Sequence, residues 1–333
     1  MKIWLLALIC SFVIALLIAI PVIKYLRKKK LGQSILEYVD LHTSKQGTPT
    51  MGGVIFLIAL SIVAILFYNE NSFLMLMTLL VTLGYGLVGF LDDFIKLKFN
   101  RNLGLTPIQK ILGQGGLALI VALFCYYSPL VPNSIIVPFS FYEIDIGWWI
   151  IPIVFFLYLA VTNAVNLTDG LDGLAGSVSM VCIGAFAVIM IMYSDFVYNL
   201  GASAVEVGEL NSLITLSFAF VGALMAFLIF NSYKAKIFMG DVGSLAIGGF
   251  INSIAVFSGL YLYLPFICLM FVITTVSVIL QVAYYKKTKK RILLMAPLHH
   301  HFEKKGFNEA KIVVCYTIIS IIASVICIYF TIK

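Results

Sequence analysis

Long apolar segments without charged residues dominate this sequence and constrain its fold more than any other feature. A stretch of roughly 18 or more such residues can cross a membrane as a helix, and the first of them covers residues 3–23. Membrane β-strands would alternate polar and apolar residues, which these segments do not. Only 11% of the 333 residues are charged, against about 25% in soluble domains. The sequence therefore predicts an all-α polytopic integral membrane protein.

Ten apolar segments are predicted to span the membrane as helices, with no soluble domain between them, so residues 1–333 are expected to form a single transmembrane domain. The eighth segment is short and rich in glycine, which makes it the least well defined of the ten. The predicted spans are 3–23, 51–68, 73–91, 110–128, 147–166, 173–193, 211–230, 242–258, 261–283 and 312–331.

Lysine and arginine residues set the predicted orientation of these spans. All of the 22 basic residues except Lys2 and Lys333 fall in or beside the loops after spans one, three, seven and nine. Because loops rich in Lys and Arg stay in the cytoplasm, these loops are predicted to be cytoplasmic and both termini to lie on the outer face. The basic surface fits either plain topology with attraction to anionic lipid or a docking surface for a polyanionic ligand.

Polar residues collect in five of the predicted cytoplasmic segments, whereas the outer loops carry no comparable clusters. We therefore expect the chemistry to take place on these cytoplasmic loops, at the inner membrane surface. The interiors of the spans contain no ionisable side chain of the kind that coupled transporters use, which favours an enzyme. A transporter with a backbone-lined site at the glycine-rich eighth span is the alternative from another class. The five segments read HTSKQGTPTMGG (42–53), DDFIK (92–96), NAVNLTDGLDGLAGS (163–177), NSYKAKIFMGDVGS (231–244) and APLHHHFEKKG (296–306).

Three aspartates are the main candidates for chemistry. Asp92 and Asp93 are adjacent like charges at the end of the third span, where the helix dipole disfavours negative charge. A pair of solvated carboxylates is the alternative, but basic residues would suit that position better, so the conflict favours function. Asp241 lies between Gly240 and Gly243. A carboxylate in such a loop suits Mg²⁺, which takes one or two carboxylates together with phosphate oxygens, although Asp-Gly loops are often simple turns.

Asp169 and Asp172 form a second acidic pair, preceded by Asn163 and Asn166. Residues three apart share one face of a helix. A capped helix start would explain one of the aspartates, whereas the repeated Asp-Gly pattern favours contact with a ligand.

Three consecutive histidines, at residues 299–301, stand out because the chain has only four. Adjacent histidines do not converge on one zinc ion, and no second ligand cluster accompanies them. Histidine is a suitable phosphate partner and proton carrier near pH 7. The segment QGTPTMGG (46–53) has the composition of a phosphate loop at the start of the second span, where a helix N-terminus would favour an anion. A routine turn before a helix is the alternative.

The motifs KQGTPTMGG (45–53), GFLDDFIK (89–96), NAVNLTDGLDGLA (163–175), FMGDVGSLAIGG (238–249) and PLHHHFEKKG (297–306) occur here in this order along the chain. Taken together, this set resembles the polyprenyl-phosphate N-acetylhexosamine-1-phosphate transferases. The three histidines make it similar to the phospho-N-acetylmuramoyl-pentapeptide transferases within that group, because relatives that use UDP-N-acetylglucosamine carry a different histidine motif.

The resemblance implies a multi-pass enzyme of the bacterial cytoplasmic membrane that acts in peptidoglycan synthesis. Its expected reaction moves phospho-MurNAc-pentapeptide from UDP-MurNAc-pentapeptide to undecaprenyl phosphate, giving lipid I and UMP, with Mg²⁺ as cofactor. Membrane lipid is a further expected partner, nucleic acid is not, and a homodimer is possible. The nearest alternative is the same chemistry with UDP-N-acetylglucosamine as the donor. Whether the mechanism is a single or a double displacement stays open.

The resemblance also implies roles for individual residues. Asp241 is expected to hold Mg²⁺. Asp92 and Asp93 are expected to act at the phosphate, one of them as a general base or a nucleophile. His299 and His300 are expected to contact phosphate or sugar. The remaining residues are expected to bind substrate, with a uridine pocket of Asp172, Asn231, Phe238 and Gln281 and with further contacts from Lys45, Thr50, Lys96, Lys110, Asn163, Asn166, Asp169 and His301.

Overall fold

The computed structural model describes residues 2–29, 47–99 and 104–331, and within these residues the chain is almost entirely helical. Its helices are α1 (Lys2–Lys28), α2 (Gly53–Leu66), α3 (Phe73–Lys98), α4 (Pro107–Tyr127), α5 (Ile150–Thr168), α6 (Leu174–Asn199), α7 (Ala204–Asn231), α8 (Gly240–Phe257), α9 (Leu264–Ile267), α10 (Leu269–Thr288), α11 (Leu298–Lys304) and α12 (Glu309–Thr331).

The predicted all-α membrane fold is confirmed, and each of the ten predicted spans coincides with a helix or, for the ninth, with two. Among the described residues, nine helices are long and apolar enough to cross a membrane. The second predicted span is the exception, because its helix α2 has only 14 residues. The sequence pointed instead to the eighth span as the weakest, yet α8 reaches 18 residues. The ninth predicted span is broken at Cys268 into α9 and α10.

A short antiparallel hairpin of β1 (Ser134–Ile136) and β2 (Glu143–Asp145) was not predicted. Strands of three residues are too short to show a period of two in the sequence. The Tyr193 hydroxyl of α6 donates a hydrogen bond of 2.9 Å to Glu143 and so ties the hairpin to the bundle. The hairpin therefore marks one end of the bundle, which we call the hairpin end. The opposite end, where α3 ends and α8 begins, we call the polar end.

Helix α8 is the centre of the bundle. Every residue from Val242 to Phe257 is buried, and α8 packs against α2, α3, α5 and α6. Phe250 of α8 packs edge to face on Phe220 of α7, with ring centroids 4.5 Å apart. Phe56 of α2 also packs on the Phe220 ring, at 5.4 Å between centroids. Such aromatic pairs add to the stabilisation that comes from burying their area. The core thus fixes α8 as the element against which the neighbouring helices are placed.

Gly89 lets α3 and α8 approach each other at the polar end. A Cβ atom on Gly89 would overlap the carbonyl oxygen of Asp241. The backbones of α3 and α8 therefore come into contact at a position where α3 has no side chain. At the hairpin end, the buried carboxylate of Glu209 accepts hydrogen bonds from the Phe73 and Leu74 amides at 3.0 and 2.7 Å. It satisfies two free N–H groups of α3. Helix α3 is therefore fixed at both ends.

Replacing Gly89 by alanine should destabilise the protein, because the new methyl group forces α3 away from α8. Overpacking of this kind costs about 1–3 kcal/mol, so the melting temperature in detergent should fall by several degrees. The matched control is Gly116→Ala on α4, where a Cβ atom meets nothing within 4 Å and alanine favours the helix. A Gly89→Ala variant that melts at or above the Gly116→Ala variant would contradict this close crossing.

Candidate active site

Three carboxylates meet at the polar end. One oxygen from each of Asp92, Asp93 and Asp241 lies within 4.8 Å of the other two, and we call these three residues the acidic centre. Helix α3 continues past its predicted end at residue 91 to Lys98, which places the first two aspartates inside its last turns and buries them. Helix α8 begins at Gly240, whose φ of 74° is one that glycine adopts without strain. The sequence predicted all three residues, and the fold brings them together.

Two lysines neutralise much of the charge of the acidic centre. The ammonium group of Lys96 lies 2.5 Å from Asp92, 3.7 Å from Asp93 and 2.8 Å from Asp241. Lys110, at the start of α4, reaches the same Asp241 oxygen at 2.9 Å. Both ammonium groups therefore meet at one oxygen of Asp241.

Backbone and amide groups fix the orientation of each carboxylate. The Leu105 amide donates to Asp92 at 2.9 Å, and the Val242 amide donates to Asp93 at 3.2 Å. The Asn166 side chain donates to the second oxygen of Asp241 at 2.6 Å. Asp93 thus lies at the N-terminus of α8, where the helix dipole favours a negative charge. The three side chains are held in place before any substrate binds.

The acidic centre has the chemistry of a site for a hard divalent cation. Carboxylate oxygens are the ligands that Mg²⁺ prefers, and it is bound by one or two of them together with water or phosphate oxygens. In the structure the Lys96 ammonium group supplies the positive charge between all three carboxylates. A metal ion held by Asp241 would fit this donor set, with Lys96 free to turn towards an anionic substrate.

The segment after residue 46 docks against the start of α8. The Phe238 amide donates to the Pro49 carbonyl at 2.8 Å, and the Gly52 amide donates back to the Phe238 carbonyl at 2.8 Å. Thr50 is buried beside Gly240, so this predicted residue lies next to the acidic centre. Lys45 falls outside the described residues.

Asp172 and Asn231 hold the loop that leads to Phe238. The Asp172 carboxylate accepts from the Ala235 amide at 3.0 Å, and the Asn231 side chain donates to the Ile237 carbonyl at 2.9 Å. Both side chains are buried, whereas the ring of Phe238 is partly exposed. Of these three predicted uridine contacts, Phe238 alone offers an open face, and the other two shape the loop around it.

Asp169 lies in the loop between α5 and α6, near enough to the acidic centre for the charges of Asp241 and Asp93 to act on it. Burial raises the pKa of Asp169 to about 8, and the negative charges of Asp241, Asp93 and Asp172 act in the same direction. The raised pKa favours the protonated carboxyl group, which is able to donate a hydrogen bond. Asn163, one turn before Asn166 on α5, donates to Gln114 at 2.7 Å and is also partly exposed.

Two of the three histidines lie against the loop at residues 169–172. The ring of His299 is fully buried, with its Nε2 atom against Gly170. His300 packs on that ring at 4.4 Å between centroids and bonds through Nδ1 to Glu303 at 2.9 Å. Burial and the neighbouring His300 lower the pKa of His299 to about 3. His299 is thus a neutral ring at physiological pH.

His301 and Gln281 make different contacts from the other predicted site residues. Both stabilise the segment before α11: the Leu294 amide donates to Nδ1 of His301 at 3.0 Å. The Gln281 oxygen accepts from the Ile292 and Leu293 amides at 3.1 and 2.9 Å. These bonds use Nδ1 of His301 and the side-chain oxygen of Gln281, and the substrate contacts expected of both residues stay predictions.

Three polar residues that were not predicted also contribute to the site. Ser244 accepts from Asn166 at 2.8 Å, Glu303 bonds to His300, and Glu309 at the start of α12 accepts from the Asp172 amide at 2.7 Å. Glu303 lies inside a motif that the sequence analysis quoted, and Ser244 follows Asp241 by three residues. For Glu309 the sequence gives no signal, because its partner is 137 residues away.

The fold and the acidic centre define a membrane-embedded transferase. Residues 75–259, more than half of the chain, match the family described as glycosyl transferase family 4, and residues 45–57 match the phospho-N-acetylmuramoyl-pentapeptide-transferase signature 1. The chain is 42% identical to the phospho-N-acetylmuramoyl-pentapeptide-transferase of Bacillus velezensis, over 96% of this chain and 95% of that protein. The same-named protein of Halalkalibacterium halodurans is 40% identical, over 98% and 97%.

The chain therefore belongs to the phospho-N-acetylmuramoyl-pentapeptide-transferase family, within glycosyl transferase family 4. It is a multi-pass protein of a bacterial membrane, as its nine apolar helices and its bacterial relatives establish. The expected family and fold class are confirmed. The roles of individual residues, and the side of the membrane on which the polar end lies, stay predictions.

The buried His299 ring predicts a specific loss of stability in acid. The unfolded chain takes up a proton at this ring below about pH 6.5, whereas the folded protein does so only near pH 3. The free energy of unfolding should therefore fall as the pH falls through that window, by about 2 kcal/mol between pH 7 and pH 5. Melting curves at both pH values should show a larger drop for the native protein than for His299→Gln. Equal drops would mean that the ring is charged or solvated in the fold.

Proposed function

We propose that this chain transfers phospho-MurNAc-pentapeptide from UDP-MurNAc-pentapeptide to undecaprenyl phosphate, giving lipid I and UMP, in a Mg²⁺-dependent reaction at the cytoplasmic membrane surface. In this proposal residues 1–333 act as a single transferase domain. The observation that carries it is the meeting of Asp92, Asp93 and Asp241 with Lys96 and Lys110, in a chain whose relatives bear the name of this transferase.

The acidic centre supplies the groups that a phosphoryl transfer between two anions requires. When bound by Asp241, Mg²⁺ would neutralise the pyrophosphate of the nucleotide and the charge that develops on its leaving group. Lys96 and Lys110 would turn from the carboxylates to phosphate oxygens, since both ammonium groups are partly exposed. In that position the two ammonium groups would stabilise the negative charge that develops in the transition state.

Asp92 and Asp93 flank the path of the incoming lipid phosphate. Both are fixed by backbone amides, so one of them is positioned to accept a proton from undecaprenyl phosphate. Loss of that proton turns the phosphate monoanion into a dianion, which is itself a competent nucleophile, and this favours the base over the nucleophile for this residue. Neutral His299 and protonated Asp169 would contact the sugar of the donor as uncharged groups beside the carboxylates. His300 would be oriented for the same task by its bond to Glu303.

The direct test of the proposed function is UMP release by the purified protein with undecaprenyl phosphate and Mg²⁺. UDP-MurNAc-pentapeptide and UDP-N-acetylglucosamine are offered in parallel, with EDTA as the metal control. We expect release from the first donor only, abolished by EDTA. Release from UDP-N-acetylglucosamine alone would keep the chemistry and overturn the substrate. Release from neither, in a folded sample, would overturn the enzyme and favour a transporter.

Removing one charge from the acidic centre should abolish turnover without unfolding the protein. Asp92→Asn, Asp93→Asn and Asp241→Asn should each lower kcat on the order of 10²–10³-fold, which is typical for the loss of one electrostatic group at a reacting phosphate or acyl centre. The matched control is Asp195→Asn, an exposed aspartate near the hairpin end of α6, which should leave kcat unchanged. Near-native activity of any of the three variants would remove that residue from the mechanism.

The partly exposed ring of Phe238 should bind the nucleotide base. Stacking of a base on an aromatic ring contributes about 1–3 kcal/mol, so Phe238→Ala should weaken UMP binding at least about fivefold in calorimetry. The KM for undecaprenyl phosphate serves as the internal control and should change little. Equal losses for nucleotide and lipid would place the ring outside the nucleotide pocket and assign it to the loop that leads to α8.

A further inference from the structure

Gln114 carries a buried amide that the reaction as described does not use. It lies on α4, is fully buried, and accepts a hydrogen bond of 2.7 Å from the Asn163 side chain on α5. Burying an amide among apolar side chains is unfavourable unless its atoms find partners. Leucine or methionine would fill the same volume without that penalty, so packing alone does not explain a glutamine here.

The orientation of the Gln114 side chain follows from its partners. Asn163 Nδ2 also donates to the Leu159 carbonyl at 2.8 Å, and because a carbonyl only accepts, the atom between the two must be the amide nitrogen. Gln114 therefore presents its oxygen to α5. Its Nε2 atom is buried and has no hydrogen-bond partner among the described residues. A side chain that leaves half of its amide unsatisfied contributes little net stability.

The bond between Gln114 and Asn163 lies one helical turn below the acidic centre on both helices. Lys110 precedes Gln114 by four residues on α4, and Asn166 follows Asn163 by three residues on α5, so each pair shares one helix face. Lys110 reaches one oxygen of Asp241 at 2.9 Å, and Asn166 reaches the other at 2.6 Å. The hydrogen bond between Gln114 and Asn163 thus links the two helices that hold Asp241 from either side.

A third helix of the site is tied to the same residue. The hydroxyl of Tyr85 on α3 donates to the backbone carbonyl of Gln114 at 3.1 Å. Asp92 follows Tyr85 by seven residues, two turns along α3 towards the polar end. Helices α3, α4 and α5 are therefore linked at one buried point, and each of them carries a side chain to the acidic centre.

We propose that Gln114 is a positioning residue that keeps Lys110 and Asn166 on the two oxygens of Asp241. This inference rests on the proposed function, because the aligned side chains matter only if Asp241 takes part in the transfer. A shift of about 1 Å at a reacting group lowers rates up to 100-fold. A slip of α4 against α5 would act on catalysis and leave the binding of the outer parts of the substrates intact.

The test compares Gln114→Met with Asn252→Leu. Asn252 is a fully buried amide of α8 that also bonds to α5, through the Leu157 carbonyl at 3.3 Å. Its oxygen has no hydrogen-bond partner in the described part of the chain, and the residue lies eleven positions after Asp241 on α8. Because each of these amides is only half satisfied, both variants should change the melting temperature little and by similar amounts. Only Gln114→Met should lower kcat, by about tenfold or more, with the KM of each substrate within about twofold of native. Equal kcat values for both variants would overturn the inference.

A double-mutant cycle distinguishes positioning from a general structural effect. If Gln114 acts through Lys110, then Gln114→Met should lower kcat by a clearly smaller factor in a Lys110→Met background than in the native chain. The same factor in both backgrounds would contradict the inference. Failure of the proposed function is distinguishable, because the native protein itself would then release no UMP. If Gln114→Met does not fold, Gln114→Leu replaces it in the cycle.

Discussion

Three carboxylates at the crossing of two helices, two of them buried, are the constraint on which the rest of this structure depends. Placing Asp92, Asp93 and Asp241 within 4.8 Å of one another is strongly unfavourable unless cations and hydrogen bonds compensate for the repulsion and the lost water. Lys96 and Lys110 supply that compensation. The close approach of α3 and α8 at Gly89, and the N-terminus of α8 at Asp93, serve the same end. The polar end is thus organised around charge.

The surrounding loops extend this centre to either side. Towards Phe238, buried side chains hold a loop that leaves one aromatic face open. Towards α11, the neutral ring of His299 lies against Gly170, beside Asp169, whose pKa is raised by burial and by the negative charges around it. Separation of charged and uncharged polar groups within one site is how proteins run acid–base chemistry near neutral pH. The proposed transfer needs this arrangement, because both of its substrates carry phosphate.

Much of this architecture could be predicted from the sequence, since long apolar segments report helices directly. The acidic pair at the end of α3 was predicted to be functional because it conflicts with the dipole of its own helix. The structure supplies the missing reason: Asp93 lies at the favourable N-terminus of α8, a contact between residues 149 positions apart. No local pattern encodes such a contact. The hairpin was not predicted because its strands are too short to show a pattern. The role proposed for Gln114 was not predicted because the residue looks like any other polar residue inside a span.

The central claim is that the acidic centre binds a divalent cation in exchange for Lys96. Anomalous diffraction from crystals soaked in Mn²⁺, a stand-in for Mg²⁺ with similar oxygen ligands, tests it most directly. We expect one anomalous peak on the order of 2 Å from an Asp241 carboxylate oxygen. In the same crystals the Lys96 ammonium group should be turned away from the three carboxylates. A centre without a peak at a Mn²⁺ concentration that supports turnover, with Lys96 still bridging the carboxylates, would contradict it.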